Sequence, residues 1–310
     1  MKACVDIGGT KVAVSLAGDG WRETRGRRAE PTAKEGANDA VARQVLRLID
    51  AVCAQQGVSP GAIDTVGVSA AGPFVLDARG AVELATPNIC GGLAGPARGL
   101  PNDWMSATME APLAARFGRV RVVNDAVAAL EAERRWGALQ GLDHCAYVTW
   151  STGVGVGLCV DGHPLRGKRG NAGHAGHSFV ADDDNQNALC GCGNVGDVEG
   201  LVAGNAIARR FGLPAEQLFA AAVAGEARAV AIADGLVRVM GRLLYNLIVT
   251  LDLQRISLGG GVFWHNRDFL LPRLQAQIDG RLPALTQGVR LAAAGLGDRV
   301  GDYAALALVD

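Results

Sequence analysis

The sequence predicts an α/β protein built as two similar lobes facing a cleft. Three observations predict it. The chain has 310 residues, room for roughly two domains at about 150 residues each. Each half opens with short strands around a Gly-rich turn and then alternates helices with strands. The segments Asp6-Ile7-Gly8-Gly9-Thr10 and Ser151-Thr152-Gly153-Val154-Gly155 hold comparable places in the two halves, the mark of an internal duplication. Composition agrees: 49% hydrophobic and 20% charged residues make a core-forming chain and exclude a disordered one.

Element by element, Lys2–Ile7, Lys11–Leu16 and Trp21–Arg25 read as strands of an antiparallel meander, with Gly18 and Gly20 in the second turn. Val41, Val45, Leu46, Ile49 and Val52 recur at helical spacing, so Lys34–Gln56 reads as an amphipathic helix. Asp64–Ser69 is a buried strand running into Ala71-Gly72-Pro73, residues 73–102 are loop, and Trp104–Phe117 is helical. The second unit starts after Phe117-Gly118 with a strand, Val120–Val123, and a helix, Asp125–Trp136. Strands follow at His144–Thr149 and Val154–Val160, then an irregular stretch, Gly162–Asp197. Helices cover Val202–Phe211, Pro214–Ala224 and Glu226–Asp252, the last interrupted at Gly235 and Gly241. Arg255–Leu258 is a strand, and Phe269–Ile278 and Tyr303–Leu308 are closing helices. The expected division is residues 1–117, completed by a C-terminal helix at 298–310, and residues 118–297.

Charge and cysteine usage narrow the function. A net charge of −1 leaves no electrostatic footprint for nucleic acid or an anionic membrane. No apolar run approaches the ~18–20 residues of a membrane span, and the N-terminal segment does not read as a signal peptide, so the expected location is the cytoplasm. Lysine occurs only at Lys2, Lys11, Lys34 and Lys168, the usage of a GC-rich bacterial genome. Seven cysteines, mostly in apolar segments, read as buried thiols of a reducing compartment.

Several clusters carry chemistry. In Asp6-Ile7-Gly8-Gly9-Thr10-Lys11, the glycines let backbone N–H groups approach a phosphate, Thr10 can donate to it, and Asp6 can hold hydrated Mg²⁺. An ordinary hairpin turn would look the same. Ser151-Thr152-Gly153-Val154-Gly155 and Gly259-Gly260-Gly261 are further phosphate-loop candidates at strand ends, and three such loops together point to a nucleotide cleft. Asn124-Asp125-Ala126 stands where a strand ends and a helix begins. Asp125 there is either a helix cap or a carboxylate aimed into the ligand crevice, able to accept a hydroxyl proton. His177, Cys190 and Cys192 with one further ligand suit tetrahedral zinc. Without a fourth ligand the same groups would form a metal-free cluster.

Taken in order along nearly the whole chain, these segments, with Ala71-Gly72-Pro73, Pro87-Asn88, Gly173 to His177, and Cys190 to Gly193 with Glu199, resemble the ROK family. The resemblance implies an actin-like (ribonuclease H-like) ATPase fold and phosphorylation of a hexose or N-acetylhexosamine by ATP with Mg²⁺. It implies Asp125 as catalytic base. Gly72, Asn88, Asn124, His174, His177 and Glu199 would lie around the sugar. Asp6, Gly8, Gly9, Thr10, Lys11, Thr152, Gly153, Gly259, Gly260 and Gly261 would surround ATP and Mg²⁺. His177, Cys190 and Cys192 would bind a structural Zn²⁺, with Asp197 or water completing it. The assembly implied is a homodimer or homotetramer.

The sequence departs from the common family form at His174 (usually Glu), Asp197 (usually a third Cys) and Ser151 (usually Gly). His174 and Ser151 together are similar to bacterial N-acetylmannosamine kinases, so the expected reaction is 6-phosphorylation of N-acetylmannosamine. Glucokinase, N-acetylglucosamine kinase and a non-catalytic sugar-binding homologue are the alternatives. The family's repressors carry a helix-turn-helix domain before the first phosphate loop, and that loop starting at Asp6 argues against this reading.

Overall fold

Two five-stranded sheets with the same strand order and directions organise the chain. The structure is a computed structural model and describes residues 1–94, 99–181 and 188–309. The chain divides into one unit of Met1–Ala132, Arg166–Ala172 and Gly301–Asp310, and a second of Glu133–Leu165 and Gly173–Val300.

In the first unit, β1 (Lys2–Ile7) and β2 (Lys11–Ala17) form a hairpin, and β3 (Arg25–Pro31) adds antiparallel to β2. The third strand lies later than Trp21–Arg25 because Trp21 is part of a turn: its N–H donates to the Gly18 carbonyl at 3.2 Å, and Arg25 lies 4.5 Å over its ring. Helix α1 (Ala40–Gln56) packs Val41, Val45, Leu48, Ile49 and Val52 in one core with Ala3, Val5 and Ile7 of β1. It starts six residues later than its periodicity suggested. The Asn102 amide donates to Lys34 O at 2.8 Å and the Trp104 indole to Gly36 O at 3.1 Å, holding that stretch outside the helix.

Strand β4 (Thr65–Ala70) runs parallel to β1. The expected loop at 73–102 contains β5 (Phe74–Leu76), β6 (Val82–Leu84) and α2 (Gly91–Ala94). The expected helix at 104–117 is instead β7 (Ala107–Thr108), paired with β6, and the short α3 (Glu110–Ala114). Strand β8 (Arg119–Asn124) then pairs parallel with β4 and leads into α4 (Asp125–Trp136). The sheet order is β3-β2-β1-β4-β8. Because β8 is a strand of this first sheet, the break falls after Ala132 rather than at 117.

The second unit repeats the pattern with β9 (Cys145–Trp150), β10 (Val154–Val160) and the short β11 (His163–Pro164). Helices α5 (Val198–Val202), α6 (Gly204–Phe211), α7 (Ala215–Val223) and α8 (Ala227–Leu251) follow, and α8 runs unbroken through both of its glycines. Then come β12 (Arg255–Gly259), α9 (Gly261–His265), α10 (Arg267–Ala276), α11 (Pro283–Thr286) and β13 (Arg290–Ala293). The order β11-β10-β9-β12-β13 has three antiparallel strands and then two parallel additions, as in the first sheet. Trp150 is fully buried, donates to Val202 O at 2.7 Å and meets Phe219 edge-on with centroids 6.2 Å apart. Helix α12 (Val300–Ala307) returns to the first unit, where Val309, Leu308 and Ala305 lie against Gly67 of β4; Asp310, in the expected closing segment, is outside the described residues.

Candidate active site

Strand register assembles the candidate groups of the first unit. Ile7 pairs with Ala70, and Ala70 with Asn124, so β1, β4 and β8 end level with one another. Gly8, Ala71 and Asp125 therefore leave the same sheet edge, at the carboxyl ends of parallel strands where α/β sheets place ligands. At about 4.8 Å per strand, Asp125 starts roughly 10 Å from the Gly8 turn. That turn is closed by Gly8 N–H donating to Lys11 O at 2.9 Å and is held by the Thr32 hydroxyl, which donates to Gly8 O at 2.7 Å. Gly9 passes so close to Asn88 that a Cβ would stand 2.6 Å from the Asn88 Cβ, which only glycine avoids. Thr10 and Lys11 are exposed.

The Thr86 hydroxyl donates to Ala71 O at 2.6 Å and Gly72 O at 3.1 Å, fixing the turn beside Asn88. Asn124 is buried and accepts from Ala126 N–H at 3.0 Å; Asp125, exposed at the start of α4, accepts from the same N–H at 2.8 Å. One carboxylate oxygen thus steadies the helix start while the group stays accessible. Asp6 turns to the other face of its strand, lining a pocket with Ser15, Thr24, Arg27 and Asp302. Burial pushes its carboxyl above the usual range, and Lys11 and Arg27 pull it back.

In the second unit the other two glycine loops meet. Gly259 pairs with Thr149, and a Cβ on Gly260 would stand 2.6 Å from Trp150 O, so Gly259-Gly260-Gly261 lies beside the end of β9, where Ser151-Thr152-Gly153 begins. Gly204 N–H, at the start of α6, donates to Ser151 O at 2.8 Å. Glu199 accepts from Val154 N–H at 2.9 Å and from the Cys190 thiol at 3.3 Å, tying the Gly153 loop to the cysteine cluster. The segment Gly173 to His177 is laid on the backbone of β10. Gly173 has φ +92° and faces Val156 O with no room for a Cβ, so that position requires glycine. The His174 and His177 ring centroids are 6.1 Å apart.

His177, Cys190, Cys192 and Asp197 bring four donor atoms within 4.8 Å of one another. His177 Nδ1 lies 3.2 Å from Asp197 Oδ2 and 3.5 Å from Cys190 Sγ, and Cys192 Sγ lies 3.4 Å from Asp197 Oδ2. A tetrahedron with bonds of about 2.0–2.3 Å has edges of about 3.3–3.8 Å, so these spacings fit zinc. Asp197 is fully buried, and its Oδ1 accepts from Gly200 N–H at 2.7 Å, capping α5. The oxygen that faces His177 and Cys192, Oδ2, is not the one that caps the helix. Burial pushes both thiols up, and the Asp197 hydrogen bond raises the His177 imidazole. Burial also pushes Asp197 up, but bonds from His177, Gly200 and the thiols hold it below the usual carboxylate range. A bound cation would convert the thiols to thiolates.

The ROK family pattern matches residues 2–310. The chain belongs to the ROK family. This ROK chain is 27% identical over 328 residues to a glucokinase of Aeropyrum pernix, covering 98% of this chain and 95% of the relative. It is 32% identical over 268 residues to an N-acetylmannosamine kinase of Citrobacter koseri, covering 83% and 82%. A ROK family glucokinase from Streptomyces griseus, solved in complex with glucose and AMPPNP, superposes with a TM-score of 0.72 at 27% identity, covering 99% and 98%. The fold is the actin-like ATPase fold, and the chain is a ROK sugar kinase. Within this ROK chain, sequence reasoning missed Thr32, Thr86 and Gly204. They hold loops through hydrogen bonds to distant segments, and no local motif marks them.

Proposed function

We propose that this ROK kinase transfers the terminal phosphoryl group of ATP to the 6-hydroxyl of N-acetylmannosamine. The observation that carries this reading is His174, set beside His177 in the segment laid on β10. A neutral imidazole offers one donor and one acceptor where a carboxylate only accepts. The pairing with N-acetyl groups of different direction at C2 therefore changes at this position, and a buried polar mismatch rejects the wrong epimer strongly. The 32% identity to the N-acetylmannosamine kinase supports it. Glucose is the second reading, favoured by the near full-length match to the Aeropyrum glucokinase.

Asp125 accepts the hydroxyl proton as the oxygen attacks phosphorus; its exposed carboxylate at the strand edge suits that role. Gly72, Asn88, Asn124, His174, His177 and Glu199 are the groups that orient the sugar. Backbone N–H groups of the Gly8–Lys11 turn, with Thr10 and Lys11, hold phosphate oxygens, as do Thr152, Gly153 and the Gly259–Gly261 loop. Asp6 would help hold Mg²⁺, which would supply positive charge against the phosphates. His177, Cys190, Cys192 and Asp197 would hold Zn²⁺, and a bound ion would fix the orientation of the His177 ring. The seating is in the cytoplasm and in a homodimer or homotetramer. The test is an ADP-release assay giving kcat/KM for N-acetylmannosamine, N-acetylglucosamine, mannose and glucose. N-acetylmannosamine is expected to lead; a preference for glucose overturns the substrate assignment.

A further inference from the structure

A loop of the first unit interrupts the second unit's sequence. Arg166–Ala172 belongs to the first unit, although the residues before and after it belong to the second. Its ends are joined by Ala172 N–H donating to Arg166 O at 3.0 Å. Its inner contact is Asn171. The Asn171 Oδ1 accepts from Phe74 N–H at 2.7 Å, and its Nδ2 donates to Phe74 O at 2.8 Å. One side-chain amide thus satisfies both backbone groups of the residue two positions after Gly72, as a neighbouring strand would. Gly170 closes over the same residue, and a Cβ there would lie 3.5 Å from the Phe74 ring.

The amide therefore braces the backbone that follows the Gly72 turn. Gly72 is two residues before Phe74, and His174 and His177 are three and six residues after Asn171.

We propose that Asn171 is a positioning residue for sugar binding, holding the Gly72 turn in place through its paired bonds to Phe74. Its side-chain hydrogen bonds run to Phe74 and not to the phosphate loops or Asp125. Removing it should weaken the hold on sugar and leave the hold on nucleotide. This rests on the kinase reading above.

The test compares wild type, Asn171→Ala and Asn171→Asp in the full chain. Sugar affinity is measured by calorimetry, and KM for sugar and for ATP in the coupled assay. Two net hydrogen bonds lost predict about a tenfold weaker Kd and KM for the sugar in Asn171→Ala, with KM for ATP within about twofold of wild type. Asn171→Asp keeps the acceptor and the shape but cannot donate to Phe74 O, so its sugar affinity should fall between the two, and it serves where Asn171→Ala folds poorly. Unchanged sugar affinity, or equal loss of sugar and ATP affinity, overturns the proposal while the kinase reading stands. A wild-type chain that binds none of the four sugars overturns the kinase reading, and this proposal with it.

Discussion

Asp197 caps α5 with one oxygen and turns the other toward His177 and Cys192, where zinc is proposed, and substitution separates the two. Asp197→Asn keeps an oxygen for the Gly200 N–H, 2.7 Å away in wild type, but places an amide where Oδ2 faces His177 and Cys192. Asp197→Ala loses both. Gly200 is buried, so its N–H has no ready replacement partner. The loss of a cap costs about 1 kcal/mol, and an unsatisfied buried N–H brings the total to about 1–2 kcal/mol. For a chain of this size that corresponds to a melting temperature lower by about 2–8 °C. Elemental analysis should find about one zinc per chain in wild type and far less in both variants. In chelated protein Asp197→Ala should melt about 2–8 °C below Asp197→Asn. Coincident melting of the two metal-free variants would refute the cap assignment, and full zinc retention by Asp197→Asn would refute the ligand assignment.

The remaining predictions follow the same geometry. Asp125→Asn keeps the shape at the start of α4 and should lower kcat about 10²–10⁴-fold with the fold intact by circular dichroism; near wild-type turnover rejects it as base. His174→Glu should erode the preference for N-acetylmannosamine toward glucose, read as the ratio of kcat/KM values. Glu133 is fully buried; its Oε2 accepts from Ala138 N, Ser257 Oγ and Gly295 N, and its Oε1 from Leu296 N, each at 2.9 Å. Glu133→Gln turns an NH₂ toward one or more of these donors and should cost about 3 kcal/mol, roughly 6–12 °C by calorimetry. The pH response should invert with metal. In chelated protein the raised His177 contributes stability fully below its usual 6.5 and loses it as pH rises through the raised value. The lowered Asp197 contributes above 3.8 and loses it as pH falls through its lowered value, so the pair helps most between these two values. Zinc affinity, needing neutral imidazole and thiolates, should instead rise with pH.

The α/β alternation, the two-fold repeat and the glycine loops were legible because each is local: hydrophobic period, turn chemistry and spacing. So was the grouping of His177 with Cys190 and Cys192. What failed was set by contacts between distant residues. Lys34–Asp39 enters the helix when the Val41–Val52 period is extended, but it is held open by Asn102 and Trp104. Residues 104–117 carry helix formers, yet Ala107 is taken by Leu84 of β6. The unit boundary was misplaced because nothing local to Val120–Val123 tells a strand which sheet it joins. Asp125 was found as a motif, whereas Thr32 and Thr86, which hold the loops near it, leave no pattern.

Helix α12 lays Ala305 and Leu308 on Gly67 of β4 and helps line the pocket at Cys4 and Asp6. It is made after every strand of both sheets. At about 5–20 residues per second, ribosomal synthesis brings it out roughly 10–50 s after β4. Part of one face of the first sheet, beside α4, therefore stays uncovered through most of translation, while the second unit already has all its strands. A nascent chain stalled before α12 is the form that a chaperone should hold, and early termination there should yield a protein that is degraded rather than merely inactive.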